Sequence, residues 1–456
     1  MNNNDGDAEN APEARVGLAP VVPLTDKAVA AFATRLSALV ATEVTPENRD
    51  DPMGRVIGFS GEHAPEYVKI GSSMREPFDA AVAIMRERWG KKYGTKSLRE
   101  RVARLIIAAR EAAEGVALAP FILAAEAEMQ AESFDFAVTI PISGLRIPDA
   151  GQFDFGNGIV LRQLDAVGFN EVVETPIRQW FEQSAYTEQD QQRGIDEQLQ
   201  IAEIFRDCLC LTFRSNIDVE LTSERVRAST IPVVDFLQYC ASYFARPPDM
   251  QFVVDYRGDF GRSWFRPFLM VDAAGFSLQN LREDARIGTF ILSGDAIGRL
   301  RAGGLLDCAA LFAAPQVNEY ESLIRIAVAS FAEGERAASK RQKIVSYVTA
   351  IEVFFNEDAR DIVRDIAESV AFLVGKNVTQ RREIISRIKD LYSMRSAAAH
   401  VATEPSEVWE ERFIVMRLLG ELIGRRGEFR TRKDLKEWVN QQRLSVPGDN
   451  PEPSNA

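Results

Sequence analysis

The sequence predicts a multidomain protein with a helical N-terminal region, an α+β middle domain and a C-terminal all-α helical bundle. Three observations predict it. Helical spacing of apolar residues dominates up to about residue 130. Alternating apolar runs with glycine turns begin at Phe134. Helix-length amphipathic runs with short breaks follow Pro315. The 456 residues leave room for two or three domains of about 100–200 residues each. The expected divisions are a disordered tail at 1–20, the helical region at 21–130, the α+β domain at 131–312, the bundle at 315–445 and a second tail at 446–456.

The elements follow in order. The first twenty residues are polar and aperiodic, as disordered segments are. TDKAVAAFATRLSALVATEV opens with Thr25 and Asp26 as helix-cap candidates and spaces its apolar residues helically. TKSLRERVARLIIAAREAAEGV gathers Leu98, Val102, Leu105 and Ile106 into one stripe, with Arg and Glu on the other face. At Phe134 the period changes to two: Phe134, Phe136, Val138 and Ile140 alternate as in a strand. QFDFGNGIVLRQL places Gly156-Asn157-Gly158 between two strand-like runs, which predicts a hairpin. A helix is expected over Asp196–Leu211, and strands over Gln251–Tyr256 and Trp264–Asp272. After Pro315, helices are expected at 317–333, 338–356, 359–373, 379–400, 406–424 and 432–442. Gly334, Gly375-Lys376-Asn377 and Gly424 are expected to break the series. Such short connections favour antiparallel neighbours in a bundle.

Composition excludes several classes. The net charge of −13 argues against nucleic-acid binding by bulk electrostatics. The whole surplus lies in residues 1–314. Residues 315–456 hold 22 basic and 22 acidic residues, so RNA contact is permitted there. Cys208, Cys210, Cys240 and Cys308 lack zinc-ligand spacing and read as buried free thiols of a reducing compartment. The N-terminus has no basic stretch followed by an apolar run. The most apolar segment, Val116–Ala125, contains Pro120 and falls well short of the roughly 20 residues a membrane span needs. A cytoplasmic protein without membrane contact is expected. No P-loop, nucleophile elbow or HExxH helix occurs, and two histidines cannot build a multi-histidine metal centre. No cofactor and no metal site are expected; the one metal class the pattern leaves open is a magnesium site built from carboxylates alone, in the middle domain.

The two histidines are His63, in the loop-like SGEHAPEY, and His400, in LYSMRSAAAH. Metal-free RNA cleavage needs a base for the ribose 2′-hydroxyl, an acid for the leaving 5′-oxygen and a cation for the charge that builds on phosphorus. Histidine serves as base or acid near neutral pH. Arginine offers a permanently charged planar fork to phosphate oxygens. Arg395 and His400 are therefore the candidate catalytic residues. Five helical residues rotate about 500°, which aims the two side chains roughly 140° apart. A long arginine, a helix ending near His400 or a second chain has to close that gap.

Three segments in the C-terminal region carry a family resemblance: YVTAIEVFF at Tyr347–Phe355, IAESVAFLVG at Ile366–Gly375 and RREIISRIKDLYSMRSAAAH at Arg381–His400. Together they resemble the HEPN superfamily, most closely its ApeA-like branch. Family members end a long helix in Arg-x(4–6)-His. Here Tyr392, Arg395, Ser396 and His400 match that motif, and Val401 stands where the family has glycine or a similar residue. The resemblance covers under a third of the chain. It implies a short helical bundle with metal-independent endoribonuclease activity, of the kind found in bacterial anti-phage, abortive-infection or toxin systems. It implies an RNA substrate, a composite site in a homodimer or higher homo-oligomer, and a middle domain that either senses a trigger, such as a phage-derived one, or restrains the nuclease.

Other residues support the site. Tyr392 either positions the pair or packs in the core. Ser396 and the alanines after it would admit a partner helix closely. On a purely structural reading, Glu352 holds Arg395 in an ion pair and His400 caps carbonyls at the helix end. Arg381, Arg382, Arg387 and Lys389 on the motif helix are weak candidates for RNA contact, as is the run Arg425, Arg426, Arg430, Arg432 and Lys433. The alternative function is a non-catalytic RNA-binding, dimerisation or scaffold protein built on the same bundle.

Overall fold

A computed structural model describes residues 30, 32–34, 55–60, 65–70, 75–111, 117–148, 151–184, 186–245, 250–256, 267–272, 275–280, 287–355, 362–400 and 409–444. Both expected tails, most of the first expected helix and His63 lie outside these residues. The chain divides into two compact units, residues 1–136 with 215–224, and residues 137–214 with 225–456.

The first unit contains an antiparallel hairpin, β1 (Arg55–Ser60) with β2 (Pro65–Ile70), and helices α1 (Arg75–Trp89), α2 (Thr95–Glu111) and α3 (Ala119–Ala131). The hairpin adds two strands to a region expected to be mainly helical. The expected stripe of α2 is buried, with Leu98, Val102 and Ile106 at 1% exposure or less. It packs with Phe78, Trp89, Tyr93, Ile122 and Met129. Polar bonds close the end of α3: Lys92 Nζ donates to the Met129 and Glu132 carbonyls at 2.5 Å each, and the Tyr93 hydroxyl donates to the Glu132 carboxylate at 2.7 Å. These are the orphan carbonyls that a helix C-terminus leaves without intrahelical partners.

The second unit contains a five-stranded sheet in the order β5-β6-β7-β3-β9. Its strands are β3 (Phe136–Ser143), β5 (Gln152–Asp154), β6 (Val160–Leu164), β7 (Cys208–Ser215) and β9 (Asp255–Tyr256), and β4 (Leu145–Arg146) lies outside it. The predicted hairpin forms, with Gln152 opposite Arg162, and its turn takes positive φ at Gly156, Asn157 and Gly158. Glycine and asparagine tolerate that backbone region best. The helix expected over Asp196–Leu211 is corrected. Between β6 and β7 lie α4 (Ala166–Phe169), a π turn at Asn170–Glu174, α5 (Thr175–Glu182) and α6 (Glu188–Ala202), which gives way to a 3₁₀ turn, and Cys208–Leu211 open strand β7. Those four residues form a continuous apolar run buried on both faces, and such a run carries no period to separate strand from helix. All four cysteines are buried, and none is in a disulfide.

Helix α7 (Val219–Phe244) follows, then β8 (Gln251–Phe252), the hairpin β10 (Pro267–Asp272) with β11 (Gly275–Asn280), β12 (Ile287–Gly288), β13 (Phe290–Ile291), α8 (Gly294–Ala302) and α9 (Ala309–Ala313). The C-terminal helices are α10 (Glu319–Arg336), α11 (Lys340–Phe355), α12 (Ile362–Val374), α13 (Val378–His400), α14 (Trp409–Gly424) and α15 (Arg432–Leu444). The six expected helices are present with end shifts of a few residues. Gly334 is corrected: it lies inside α10 and does not break it. A β-carbon there would sit 2.7 Å from Cε1 of Tyr347, so glycine is present to let α11 approach. The sequence boundary near 312–315 falls within this unit, and one apolar core runs from Ile142 through Val233 and Phe331 to Val439.

A buried polar network ties α7, α10, α11 and α14 together. Arg412 donates from Nε and Nη2 to the two oxygens of Glu335, each at 2.8 Å. The Tyr347 hydroxyl donates to Glu335 at 2.5 Å, and the Ser242 hydroxyl at 2.8 Å. Arg412 is 1% exposed and Glu335 7%. Burial alone would push the Glu335 carboxyl up. The Arg412 charge and the three donors reverse this and hold it below the ordinary range. A second buried pair, Arg336 with Asp235 at 2.6 Å, joins α10 to α7.

Candidate functional site

The expected site lies on α11 and the last turns of α13. Helix α13 is α-helical as far as His400, so Arg395 and His400 share one element and are about 7.5 Å apart along its axis. The His400 side chain lies outside the described residues. Leu391, Ile388 and Ile384 seat the helix in the core, with exposures from 0 to 5%. Ser393, Ser396 and Ala397 are on its exposed side, while Ala398 is buried.

Arg395 Nη1 donates to Glu352 Oε1 at 2.9 Å, with the arginine side chain 40% exposed and the glutamate 18%. The expected ion pair is therefore present, and it anchors one arm of the guanidinium while the group stays open to solvent. The Tyr392 ring is buried in the core, and its hydroxyl makes no short hydrogen bond among the described residues, only a weak one toward Glu352. Burial raises its pKa far above the ordinary tyrosine value. The Glu352 charge adds to the rise, and Arg395 opposes it. Tyr392, Glu352 and Arg395 thus form one electrostatic group, in which the phenol stays neutral at any physiological pH.

The flanking basic residues divide. Arg381 Nε donates to the Gly375 carbonyl at 3.1 Å, and its guanidinium lies 4.4 Å from the Phe372 ring centroid. Arg387 pairs with Glu410 and lies 3.8 Å from Glu411. Arg382 and Lys389 are exposed. In the later run, Arg425 pairs with Glu428 at 2.9 Å and stacks on Trp438. Arg426 bonds Cys308 Sγ at 2.9 Å, and Lys433 lies 3.7 Å from Glu437. Among the described residues no three His, Cys, Asp or Glu side chains converge as a metal site requires. No helix among them is long and apolar enough to cross a membrane.

Two features escape sequence reading. Periodicity marks Glu335 and Arg412 only as polar residues within helices, yet both are buried, at 7% and 1% exposure, and they pair with each other. An open cleft between α5 and α6 is lined by Trp180, Phe181 and Tyr186. Its signal is three aromatics within seven residues of an otherwise Gln- and Glu-rich stretch. Comparisons with models of known families, with characterised proteins and with solved structures gave no match.

Proposed function

We propose that this chain is a metal-independent endoribonuclease of the bacterial anti-phage, abortive-infection or toxin kind, built on a HEPN-like C-terminal bundle. His400 takes the proton from the ribose 2′-hydroxyl. The freed oxygen attacks the adjacent phosphorus, and the bond to the 5′-oxygen breaks as that oxygen takes a proton from a His400 imidazolium. The products are a 2′,3′-cyclic phosphate and a 5′-hydroxyl. Arg395 stabilises the charge on the phosphorane, and two copies of the helix, paired in a homodimer, complete the groove.

The observation that carries this reading is the state of Arg395. It is partly exposed, anchored through one nitrogen by Glu352, and placed on the helix that ends at His400. Anchoring reduces the entropy lost when the remaining donors meet phosphate. The test is toxicity and RNA integrity in cells expressing the wild type, Arg395→Ala or His400→Ala. RNA loss with the wild type alone supports the nuclease.

A second reading, a non-catalytic RNA-docking or dimerisation module, is favoured by the same ion pair, since Arg395 already has a carboxylate partner. It expects equal effects of wild type and His400→Ala.

A further inference from the structure

The cleft between α5 and α6 has a volume of about 810 Å³ and opens broadly to solvent. Trp180 and Tyr186 on its rim are 61% and 57% exposed, and Phe181 lies between them, 4.8 Å from Trp180 and 6.4 Å from Tyr186 by ring centroids. Gly194 makes room for this arrangement, because a β-carbon there would meet Phe181 Cε1 at 2.2 Å. Exposed apolar surface of this kind on a folded domain marks a binding site.

Charge selects the class of occupant. Residues 171–207 hold nine Asp and Glu, three Arg and no Lys. Each arginine is already matched: Arg178 to Glu174 at 2.8 Å, Arg206 to Glu203 at 2.7 Å, and Arg193 between Asp190 and Glu197 at 3.8 and 3.9 Å. Asp190 and Glu197 line the cleft beside Arg193, and Glu171, Glu182, Glu188, Asp196 and Asp207 are exposed in the same stretch as an acidic surplus. Nucleic acid and anionic lipid are repelled by such a field, whereas a cationic chain with an apolar anchor is attracted by both parts.

We propose that this cleft binds a basic amphipathic segment of a partner protein. One large apolar side chain sits among Trp180, Phe181 and Tyr186, and flanking Lys or Arg residues meet the carboxylates. Helix-in-groove recognition uses this combination of anchor and rim. The cleft lies on residues separate from Arg395 and His400, and its occupancy is measured without RNA cleavage.

The test uses the full chain and three fluorescein-labelled peptides of 14 residues. The first carries Leu and Lys at helical spacing, the second has Glu in place of Lys, and the third has Ser in place of Leu. Fluorescence anisotropy should show the Leu/Lys peptide binding at least about tenfold more tightly than either control, and more weakly as salt rises. Trp180→Ala and Tyr186→Ala remove exposed rings and leave the core intact, so each should weaken binding about tenfold with an unchanged thermal melt. Glu197→Gln on the cleft wall should weaken it about threefold. Absence of Leu/Lys binding up to about 1 mM overturns the proposal, as does equal binding of the acidic peptide or indifference to Trp180→Ala. Binding of the chain to phosphatidylglycerol vesicles that Trp180→Ala abolishes would also overturn it and assign the cleft to lipid.

Discussion

At the scale of single residues, the site depends on Arg395 and on what holds it. Glu352→Ala removes the anchor and leaves Arg395 free to sample solvent. Under the proposed nuclease function, RNA cleavage by the purified variant should fall by about 100-fold, the cost of misplacing a positioned group, with circular dichroism unchanged. Tyr392→Phe removes a buried hydroxyl that makes no short hydrogen bond among the described residues and only a weak one toward Glu352, so chemical denaturation should show a stability change under about 0.5 kcal/mol. A loss well above that would mean the hydroxyl is strongly bonded in solution. The Arg395–Glu352 pairing was legible in the sequence because it links residue types of opposite charge on two strongly periodic helices. The weak bonding of the hydroxyl was not legible, since burial of a ring and satisfaction of its polar end are independent quantities.

At the scale of elements, α10 shows how packing overrides a local rule. Glycine ordinarily weakens a helix interior, and alanine in its place ordinarily helps. Here the Tyr347 ring occupies the space a methyl group needs. Gly334→Ala should therefore destabilise the protein by about 1–3 kcal/mol in urea unfolding, against the propensity trend. The same contact explains why reading Gly334 as a breaker failed, whereas the other C-terminal helix boundaries were legible from periodicity and short polar breaks. The β1–β2 hairpin was missed because its strands lie in a region read mainly as helix. Cys208–Leu211 was misread because a fully buried strand has no polar face to alternate with.

At the scale of the whole molecule, the second unit is one cooperative body, because residues from both sides of position 312 share its core and the Glu335–Arg412 network ties its helices. Glu335→Ala strands a buried guanidinium and should cost about 3–5 kcal/mol. Hydrogen exchange should show the loss on α7 and α14 together. Glu335 is held below the ordinary carboxyl range, so its contribution is complete above the unfolded value of about 4.3 and is lost as pH falls through the lowered folded value. The wild type should lose stability in that acid window more steeply than Glu335→Ala, as thermal melts across the window would read out. The most direct measurement of the central claim is end analysis of RNA incubated in EDTA with the wild type and with His400→Ala. The nuclease reading predicts fragments with 2′,3′-cyclic phosphate and 5′-hydroxyl ends from the wild type and none from the variant. Intact RNA with both proteins, or equal cutting by both, would contradict it.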